Sequence, residues 1–302
     1  MALSGILSLN KPAGMTSRRA VDLVQRLARP AKVGHAGTLD PLATGVLVVC
    51  VGAATRLIEY VQRMPKSYVG TFLLGRQSPT EDVEGHVVEL PNPPIPTLEQ
   101  IHQAASNLTG NIFQRPPAFS ALKLNGRRAY KLARKGQTLE LQPRPVTIHG
   151  IAVRSYNYPQ LVLAVDCGSG TYIRSLGRDL AQSLGTSAVM SALVRTAIGN
   201  FHLSDALDPR ELNAENLPGH LLPPLHAVDS LPRIELTTEE ITRVHNGQSI
   251  TKHTDAANAV ELAAVDEQGN LVAVLDPSNA KLLRPLRNFA CKLIEGKTFC
   301  PP

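Results

Sequence analysis

The sequence predicts a two-domain protein in which strands and helices are mixed. Its 302 residues are enough for more than one hydrophobic core. Apolar residues recur with strand-like and helix-like periods in turn through the first two hundred residues, and turns and prolines crowd together at 207–224 (LDPRELNAENLPGHLLPP). We therefore expect a first domain over residues 1–230 and a small β-rich domain over residues 233–302.

The first domain is expected to begin with a strand, a loop and a helix. ILSLN has the pattern of a strand, and after KPAGMTS apolar residues recur every three positions, which predicts an amphipathic helix from about Arg18 to Leu27. Thr16 or Ser17 is suited to cap the amino end of that helix. A strand VLVVCVG, a short helix around 54–61 and a strand SYVGTFLLG are expected next.

A basic arm is expected to be inserted at about 97–145. The Pro-rich run at 91–96 cannot be helical, and TLEQ at 97–100 has the pattern of a capping box that starts a helix. The apolar face of this helix is predicted to carry Leu98, Ile101, Ala105 and Leu108. Between Arg115 and Arg144 the chain then has eight Lys or Arg residues against a single acid.

The remaining elements complete the two domains. VTIHGIAVRSYN and QLVLAVDC have strand patterns, and a helix is predicted over Arg174–Leu184. In the second domain, VELAAVDEQGNLVAVLDP has two β-rich arms around a turn, which predicts a hairpin.

The charge of the chain indicates a polyanionic partner. The net charge is +6 and the isoelectric point is about 9.2. A solvated basic face would explain one basic segment. Because residues 1–34 also hold six basic groups against one acid, we favour nucleic acid as the partner.

Cysteine, histidine and apolar residues exclude several classes of protein. The four cysteines are far apart and the nine histidines are scattered, so neither disulfides nor a protein-bound metal is expected. The amino terminus lacks the features of a signal peptide, and the most apolar run, VLVVCVGAA, is too short to span a bilayer. We expect a cytoplasmic protein without a membrane partner.

The candidate chemistry lies in the segment GHAGTLDPLATGVL at 34–47. Its three glycines allow tight turns or a close approach to a ligand. Asp40 stands directly before Pro41, which fits the start of a helix with Asp as N-cap. It equally fits an open loop that presents a carboxylate to a bulky substrate, where the carboxylate can attack a sugar carbon or an electrophilic base carbon. Residue types alone leave both interpretations open.

This segment resembles the catalytic motif of the TruB family of tRNA pseudouridine synthases. Five further blocks are similar to motifs of that family and occur in the same order: LSLNKPAGMTS at 7–17, KSYVGTFLLG at 66–75, QRPPAFSALKLNGRRAYKLAR at 114–134, CGSGTYIRSLGRDLAQSLG at 167–185 and ALVRTAIGNF at 192–201. One short block would be weak support, whereas six ordered blocks are highly specific.

The resemblance implies roles for individual residues. It places Asp40 on the family's nucleophile, Tyr68 on the tyrosine that stacks against the target base, and Arg174 on the arginine that pairs with the catalytic carboxylate. His35 falls on the histidine that supports the RNA loop once the base has left the stack, and Leu193 on an apolar residue of the pocket. Taken singly, Tyr68 would fit a packed strand residue and Arg174 a surface ion pair.

Further positions are implied to bind the substrate. They are Lys11, Pro12, Asp82 and Tyr172 and, in the basic arm, Lys123, Arg127, Arg128 and Lys131.

The resemblance also implies a fold, a substrate and a reaction. The fold is α+β: a mixed, largely antiparallel sheet with flanking helices and the inserted basic arm, followed by a small β-rich domain of the PUA type. The substrate is the T-arm stem-loop of tRNA, and the product is the pseudouridine of TΨC at uridine-55. The enzyme is expected to flip the base out of the stack. It needs no metal or organic cofactor and no obligate protein partner, and it is expected to act as a monomer.

Three departures from the family pattern accompany this resemblance. Ser78-Pro79-Thr80 stands where Thr-Asp-Thr is usual, Asn10 stands where Asp is usual, and Leu193 is followed by Val194-Arg195 rather than by paired arginines.

Three alternative functions are weighed against this one. A non-catalytic RNA-binding protein is disfavoured by the intact set of Asp40, Tyr68 and Arg174. A related synthase acting on another RNA, or with a guide RNA, stays open. A nucleotide-cofactor enzyme lacks a G-x-G-x-x-G or P-loop pattern.

Overall fold

The fold is described from a computed structural model of the chain. It describes residues 3–120, 122–124, 127–129, 132, 141–252, 259–289, 292–294 and 297–299. The strands, in chain order, are β1 (Gly5–Lys11), β2 (Val33–His35), β3 (Thr44–Val51), β4 (Lys66–Leu74), β5 (Arg76–Gln77), β6 (Val88–Glu89), β7 (Gly110–Gln114), β8 (Lys123–Leu124), β9 (Arg127–Arg128), β10 (Arg144–Asn157), β11 (Gln160–Cys167), β12 (Ala188–Ile198), β13 (Phe201–His202), β14 (Arg233–Glu235), β15 (Ile250–Thr251), β16 (Leu262–Val265), β17 (Leu271–Asp276), β18 (Leu282–Asn288), β19 (Lys292–Ile294) and β20 (Lys297–Phe299). The α-helices are α1 (Ser17–Leu27), α2 (Ile58–Arg63), α3 (Leu98–Asn107), α4 (Ile173–Ser183), α5 (Leu217–His220) and α6 (Thr238–His245).

The larger sheet is mixed but largely antiparallel. It has nine strands in the order β1-β3-β12-β4-β11-β10-β7, with β2 paired to β3 and β13 paired to β12. The pairing of β3 with β12 is parallel, and the other pairings in this sheet are antiparallel. The predicted α+β fold is confirmed.

Alternation along the strands divides the apolar residues between two cores. On β3, Leu47 and Val49 face a core that also holds apolar residues of α1, α3 and α4. Val46 and Val48 face a second core on the opposite side, which contains α2, its preceding 3-10 helix Gly52–Leu57 and residues of the C-terminal part of the chain. Two-sided burial explains why the sequence of β3 is continuously apolar rather than alternating.

The helix predictions are largely confirmed at their amino ends. The Thr16 hydroxyl accepts a hydrogen bond from the Arg19 backbone N–H and caps α1, and Thr97 and Gln100 form the predicted capping box of α3. The expectation that Leu98 faces the core is wrong, because it is the first residue of α3 and its side chain is exposed.

The second sheet lies in the C-terminal part of the chain and has the order β14-β16-β17-β18-β15. The predicted hairpin is formed by β16 and β17, with Leu262 opposite Leu275. This sheet contributes Ala263, Val274 and other apolar residues to the second core, and the Tyr60 hydroxyl donates to Glu261 at 3.2 Å.

The segment predicted to mark the domain boundary runs along the edge of the first sheet. Leu207 and Leu222 form bridges to β1. No helix in the described ranges is long and apolar enough to cross a membrane.

Candidate active site

Asp40 lies in the loop between β2 and β3, at the start of a tight turn rather than at the start of a helix. Its backbone carbonyl accepts from the Ala43 N–H at 3.1 Å, and the next element is strand β3. The N-cap interpretation is therefore wrong. The buried Ser17 hydroxyl fixes the preceding residue, because it donates to the Leu39 carbonyl at 3.0 Å and accepts from the Leu39 N–H at 2.8 Å.

The Lys-Pro motif supports the same loop from below. The fully buried Lys11 ends β1, and its Nζ donates to the carbonyls of Pro12 (3.0 Å), Met15 (2.6 Å) and Pro41 (3.3 Å). Burial lowers the pKa of Lys11 to about 8, against the opposing attraction of Asp40. The amino group therefore holds the Asp40 loop in place through these three carbonyls.

Arg174 binds the Asp40 carboxylate side-on. It lies in the first turn of α4, with Nε 3.0 Å from Asp40 Oδ2 and Nη2 3.3 Å from Asp40 Oδ1. Nη1 lies 3.3 Å from Asp82 Oδ2 and donates to the Thr80 carbonyl at 2.8 Å, and Nη2 also donates to the Phe119 carbonyl at 3.0 Å. A planar guanidinium with several donors suits this arrangement.

Burial and the arginine act on Asp40 in opposite directions. Burial raises the pKa of the Asp40 carboxyl above its ordinary value, the charge of Arg174 lowers it, and the charge of Asp82 raises it further. Burial is the larger of these effects on the pKa of Asp40, which the pairing with Arg174 alone would not predict. Arg174 therefore favours the ionised form of Asp40 and opposes the larger effect of burial.

Two clefts meet at Asp40. The first, here called the tyrosine cleft, has a volume of about 460 Å³ and is lined by Tyr68, Tyr172 and Leu193. The second, the histidine cleft, has a volume of about 910 Å³ and is lined by His35 and Asp82. Asp40, Arg174 and Ser120 line both. The carboxylate is therefore open to a substrate large enough to enter from two sides.

Tyr68 and Leu193 form the apolar wall of the tyrosine cleft. Both are more than nine-tenths buried. Tyr68 lies opposite Arg195 and Leu193 opposite Gly70 in the pairing of β4 with β12, so the two side chains share one face of the sheet.

Tyr172 lies at the rim of the same cleft. It precedes α4, and the guanidinium of Arg144 lies over its ring, 5.1 Å from the centroid. Gln114 holds its backbone with two hydrogen bonds.

The loop that departs from the family pattern is tied to α4 by a second ion pair. Glu81 adopts φ 62°, accepts from the Ser175 hydroxyl at 2.9 Å and pairs with Arg178. Arg178 also donates to the Arg115 carbonyl at 2.8 Å, at the base of the basic arm. Thr80 donates to Asp82 Oδ1 at 2.6 Å, so this loop positions Asp82 despite its departure in sequence.

The comparison with known proteins decides the family. Residues 25–173 match the family model described as the amino-terminal domain of TruB family pseudouridylate synthases. A tRNA pseudouridine synthase B of Dehalococcoides mccartyi is 41% identical over 292 residues, which are 95% of this chain and 97% of that protein. One from a Mycobacterium species is 42% identical over 289 residues, 94% of this chain and 96% of that protein. The chain belongs to the TruB family.

Solved structures share the fold. A Cbf5–Nop10–Gar1 complex contains a chain that aligns with a TM-score of 0.72 at 24% identity, over 93% of this chain and 83% of that one. A chain of an H/ACA RNP bound to a substrate RNA aligns with a TM-score of 0.70 at 23% identity, over 94% and 84%. TruB family membership, inferred above from six blocks of sequence, is confirmed.

The structure brings most of the TruB-like residues together. Asp40, Tyr68, Arg174, Tyr172 and Leu193 line the tyrosine cleft, His35 and Asp82 line the histidine cleft, and Lys11 and Pro12 lie beneath the loop. In the basic arm, Lys123, Arg127 and Arg128 belong to the antiparallel pair β8–β9, and Lys131 lies outside the described residues.

Two buried cations in the tyrosine cleft were not predicted as site residues. Lys66 begins β4 and donates to the Met64 carbonyl at 2.6 Å, and burial, aided by the charge of Arg195, lowers its pKa to about 8. Arg195 lies on β12 at an inward-facing position between Leu193 and Ala197. A charged residue in the apolar phase of a strand is the signal that could have found it.

Proposed function

We propose that this chain isomerises uridine to pseudouridine in the T loop of tRNA, at uridine-55, with Asp40 as the nucleophile. The relatives that share about two-fifths of its sequence are named tRNA pseudouridine synthase B, which supports tRNA as the substrate class. The observation that carries the role of Asp40 is its position: an arginine-bound carboxylate where two clefts meet, next to a buried tyrosine.

The reaction needs one nucleophilic carboxylate. The bond from C1′ of the ribose to N1 of the uracil breaks, the base turns, and a bond from C1′ to C5 forms. The hydrogen on C5 leaves and N1 gains one, so atoms and electrons balance without an oxidant, reductant or cofactor. Attack by Asp40 on C1′ or on C6 of the base both satisfy this balance. A second carboxylate that directs water, as in a glycosidase, is not required.

The two clefts have distinct roles in this proposal. The flipped uracil enters the tyrosine cleft, where Tyr68 stacks against it and Leu193 packs beside it. Stacking of a base on an aromatic ring contributes about 1–3 kcal/mol, which offsets part of the cost of flipping. The RNA loop occupies the histidine cleft, where His35 supports the bases that remain. Tyr172 and Asp82 order the walls of the two clefts.

Binding of the RNA backbone is assigned to the basic arm. Lys123, Arg127, Arg128 and Lys131 contact phosphates of the T arm, and the domain over residues 233–302 is a PUA-like RNA-binding domain attached to a catalytic domain over 1–230. The chain acts in the cytoplasm as a monomer, without an obligate protein partner.

The test uses a T-arm RNA that carries tritium at C5 of its uridines. Wild-type protein is expected to release tritium and to form pseudouridine at the TΨC position. Asp40→Asn is expected to bind this RNA with similar affinity and to release less than a few per cent of the tritium. Asp205→Asn, at an exposed carboxylate, is the matched control and should behave as wild type.

Two results would contradict the proposal. Residual activity of Asp40→Asn above a few per cent removes the nucleophilic role from Asp40. If wild-type protein binds the T arm tightly but releases no tritium, uridine-55 of the T loop is not the nucleotide that it modifies. Repeating the assay on total cellular RNA then separates a synthase with another target from a non-catalytic RNA-binding protein.

A further inference from the structure

Arg195 is a fully buried cation beside the candidate nucleophile. Its side chain is only 2% exposed, and it lines the tyrosine cleft together with Asp40 and Tyr68. It lies on β12 directly opposite Tyr68 on β4. A buried charge is unfavourable unless neighbouring groups compensate it, so its partners are informative.

Backbone carbonyls on both sides of Asp40 bind this guanidinium. Nη2 donates to the Gly37 carbonyl at 3.2 Å, Nη1 to the Thr38 carbonyl at 3.4 Å, and Nε to the Val46 carbonyl at 2.7 Å. Gly37 and Thr38 precede Asp40, and Val46 follows it on β3. One side chain therefore fixes where the loop leaves the sheet and where it returns.

The backbone of β3 is adapted to this contact. Gly45 has φ +98°, and a Cβ at this position would lie 2.2 Å from the Arg195 carbonyl oxygen. A glycine is thus required where β3 and β12 approach each other. The approach brings Arg195 close enough to reach Val46 and the loop at once.

The charge of Arg195 is directed at Tyr68. Within the described ranges, the side-chain hydrogen bonds of Arg195 go to these three backbone carbonyls and no carboxylate pairs with it, while Tyr68 lies directly opposite on β4. Burial raises the pKa of Tyr68, and the charge of Arg195 opposes that rise. Lys66 also lies near this arginine, which makes the inner end of the cleft positive.

We propose that Arg195 is a positioning residue for the isomerisation: it holds the Asp40 loop in register with Tyr68 and keeps a fixed positive charge beside Tyr68. In this role it stabilises negative charge on the phenol oxygen whenever that oxygen takes part in moving a proton. The proposal rests on the proposed function for its kinetic consequence, whereas its effect on Tyr68 is measured on the protein alone.

The first measurement follows Tyr68 without RNA. Protein with ¹³C at Cζ of its tyrosines is titrated by NMR, and the Tyr68 signal is assigned with Tyr68→Phe. Arg195→Ala is expected to move the titration of Tyr68 to higher pH, and Arg195→Lys, which keeps a positive charge, is expected to move it less. Titration at the same pH in wild type and both variants would overturn the proposal.

The second measurement follows turnover and its chemical rescue. Arg195→Ala is expected to lower kcat about 100-fold, the size of effect seen when one fixed hydrogen-bond donor is removed from an active site, with little change in the Kd of the T-arm RNA. Arg195→Lys should lose less. Guanidinium ion at matched ionic strength should raise the activity of Arg195→Ala at least tenfold. Urea, which has a similar shape but no charge, should not raise it.

The outcomes separate the proposals. Equal rescue of activity by urea and by guanidinium would assign Arg195 a packing role alone and overturn the inference. The same holds if both variants lose turnover equally and in proportion to their loss of thermal stability. If Arg195→Ala does not fold, the pH at which Tyr68 titrates in Arg195→Lys, compared with wild type, decides instead. Absence of tritium release by wild-type protein contradicts the proposed function and leaves the Tyr68 titration as an independent result. Arg210→Ala, at an exposed arginine, is the control and should match wild type throughout.

Discussion

The charge of Lys11 is expected to limit the stability of the protein at neutral pH. The side chain is fully buried, its amino group bonds to three carbonyls, and its pKa is lowered from 10.5 to about 8. Replacing it with Met removes the titratable group while keeping an unbranched apolar stem. The comparison of interest is the difference in the free energy of unfolding between wild type and Lys11→Met as the pH is varied.

The direction in which this difference changes with pH follows from proton binding. Between about pH 8 and 10.5 the unfolded chain binds the proton of Lys11 and the folded chain does not, so the stability of wild type relative to the variant rises with pH in that window. A shift of 2.5 pH units corresponds to about 3 kcal/mol, of which about 2.5 kcal/mol should develop between about pH 7 and 10. Below about pH 7 both states hold the proton and the difference should be flat.

Urea unfolding of both proteins over this range measures the difference. Lys32→Met, at an exposed lysine, is the control and should give a curve parallel to wild type. Lys66→Met tests the same reasoning at the second buried lysine with a pKa of about 8, if Lys11→Met does not fold. A difference between wild type and Lys11→Met that stays constant with pH would refute the reasoning, because it would mean that the amino group is equally protonated in the folded and unfolded chain.

Three further changes have defined outcomes. Gly45→Ala should lower the free energy of unfolding by at least about 2 kcal/mol, since it combines a positive φ with the approach to Arg195; thermal unfolding close to that of wild type would contradict this. Burial raises the pKa of Cys50 to about 12. In a variant whose other three cysteines are serine, its thiol should therefore react with a disulfide reagent about a thousandfold more slowly than a free thiol; rapid reaction of this folded variant would speak against that burial. Glu81→Gln should cost about 1–3 kcal/mol by weakening its bond to Arg178, and a double-mutant cycle with Arg178→Met that gives no coupling energy would remove this contact from the stability of the loop.

Much of the fold could be predicted because local signals agreed with the final structure. The cap at Thr16, the capping box at Thr97 and the hairpin of β16 and β17 each depend on residues within a few positions of one another. Leu98 was misassigned because a helical period places a residue on a face but does not say where the core ends.

The candidate site was predictable only in part. Ordered blocks gave Asp40, Tyr68 and Arg174, and the structure brings these three side chains around one cleft. Arg195 was noted only as a departure in sequence, because its partners lie about 150 positions earlier in the chain, in the loop before β3 and on β3 itself. The dominance of burial over Arg174 in setting the pKa of Asp40 likewise depends on three-dimensional packing, which residue types alone do not give.

The second core has a consequence for how the two sheets are linked. Ile6, Val46 and Val48 of the first sheet lie in the same apolar cluster as Ala263 and Val274 of the second. The far side of the strand that follows the Asp40 loop thus belongs to the same apolar cluster as the C-terminal sheet, together with the 3-10 helix Gly52–Leu57 and α2. Because the cluster is continuous, a displacement of one sheet is transmitted to the other through packed side chains. Exchange of the C-terminal sheet for that of a relative would therefore require its apolar residues to match this shared cluster in size and shape.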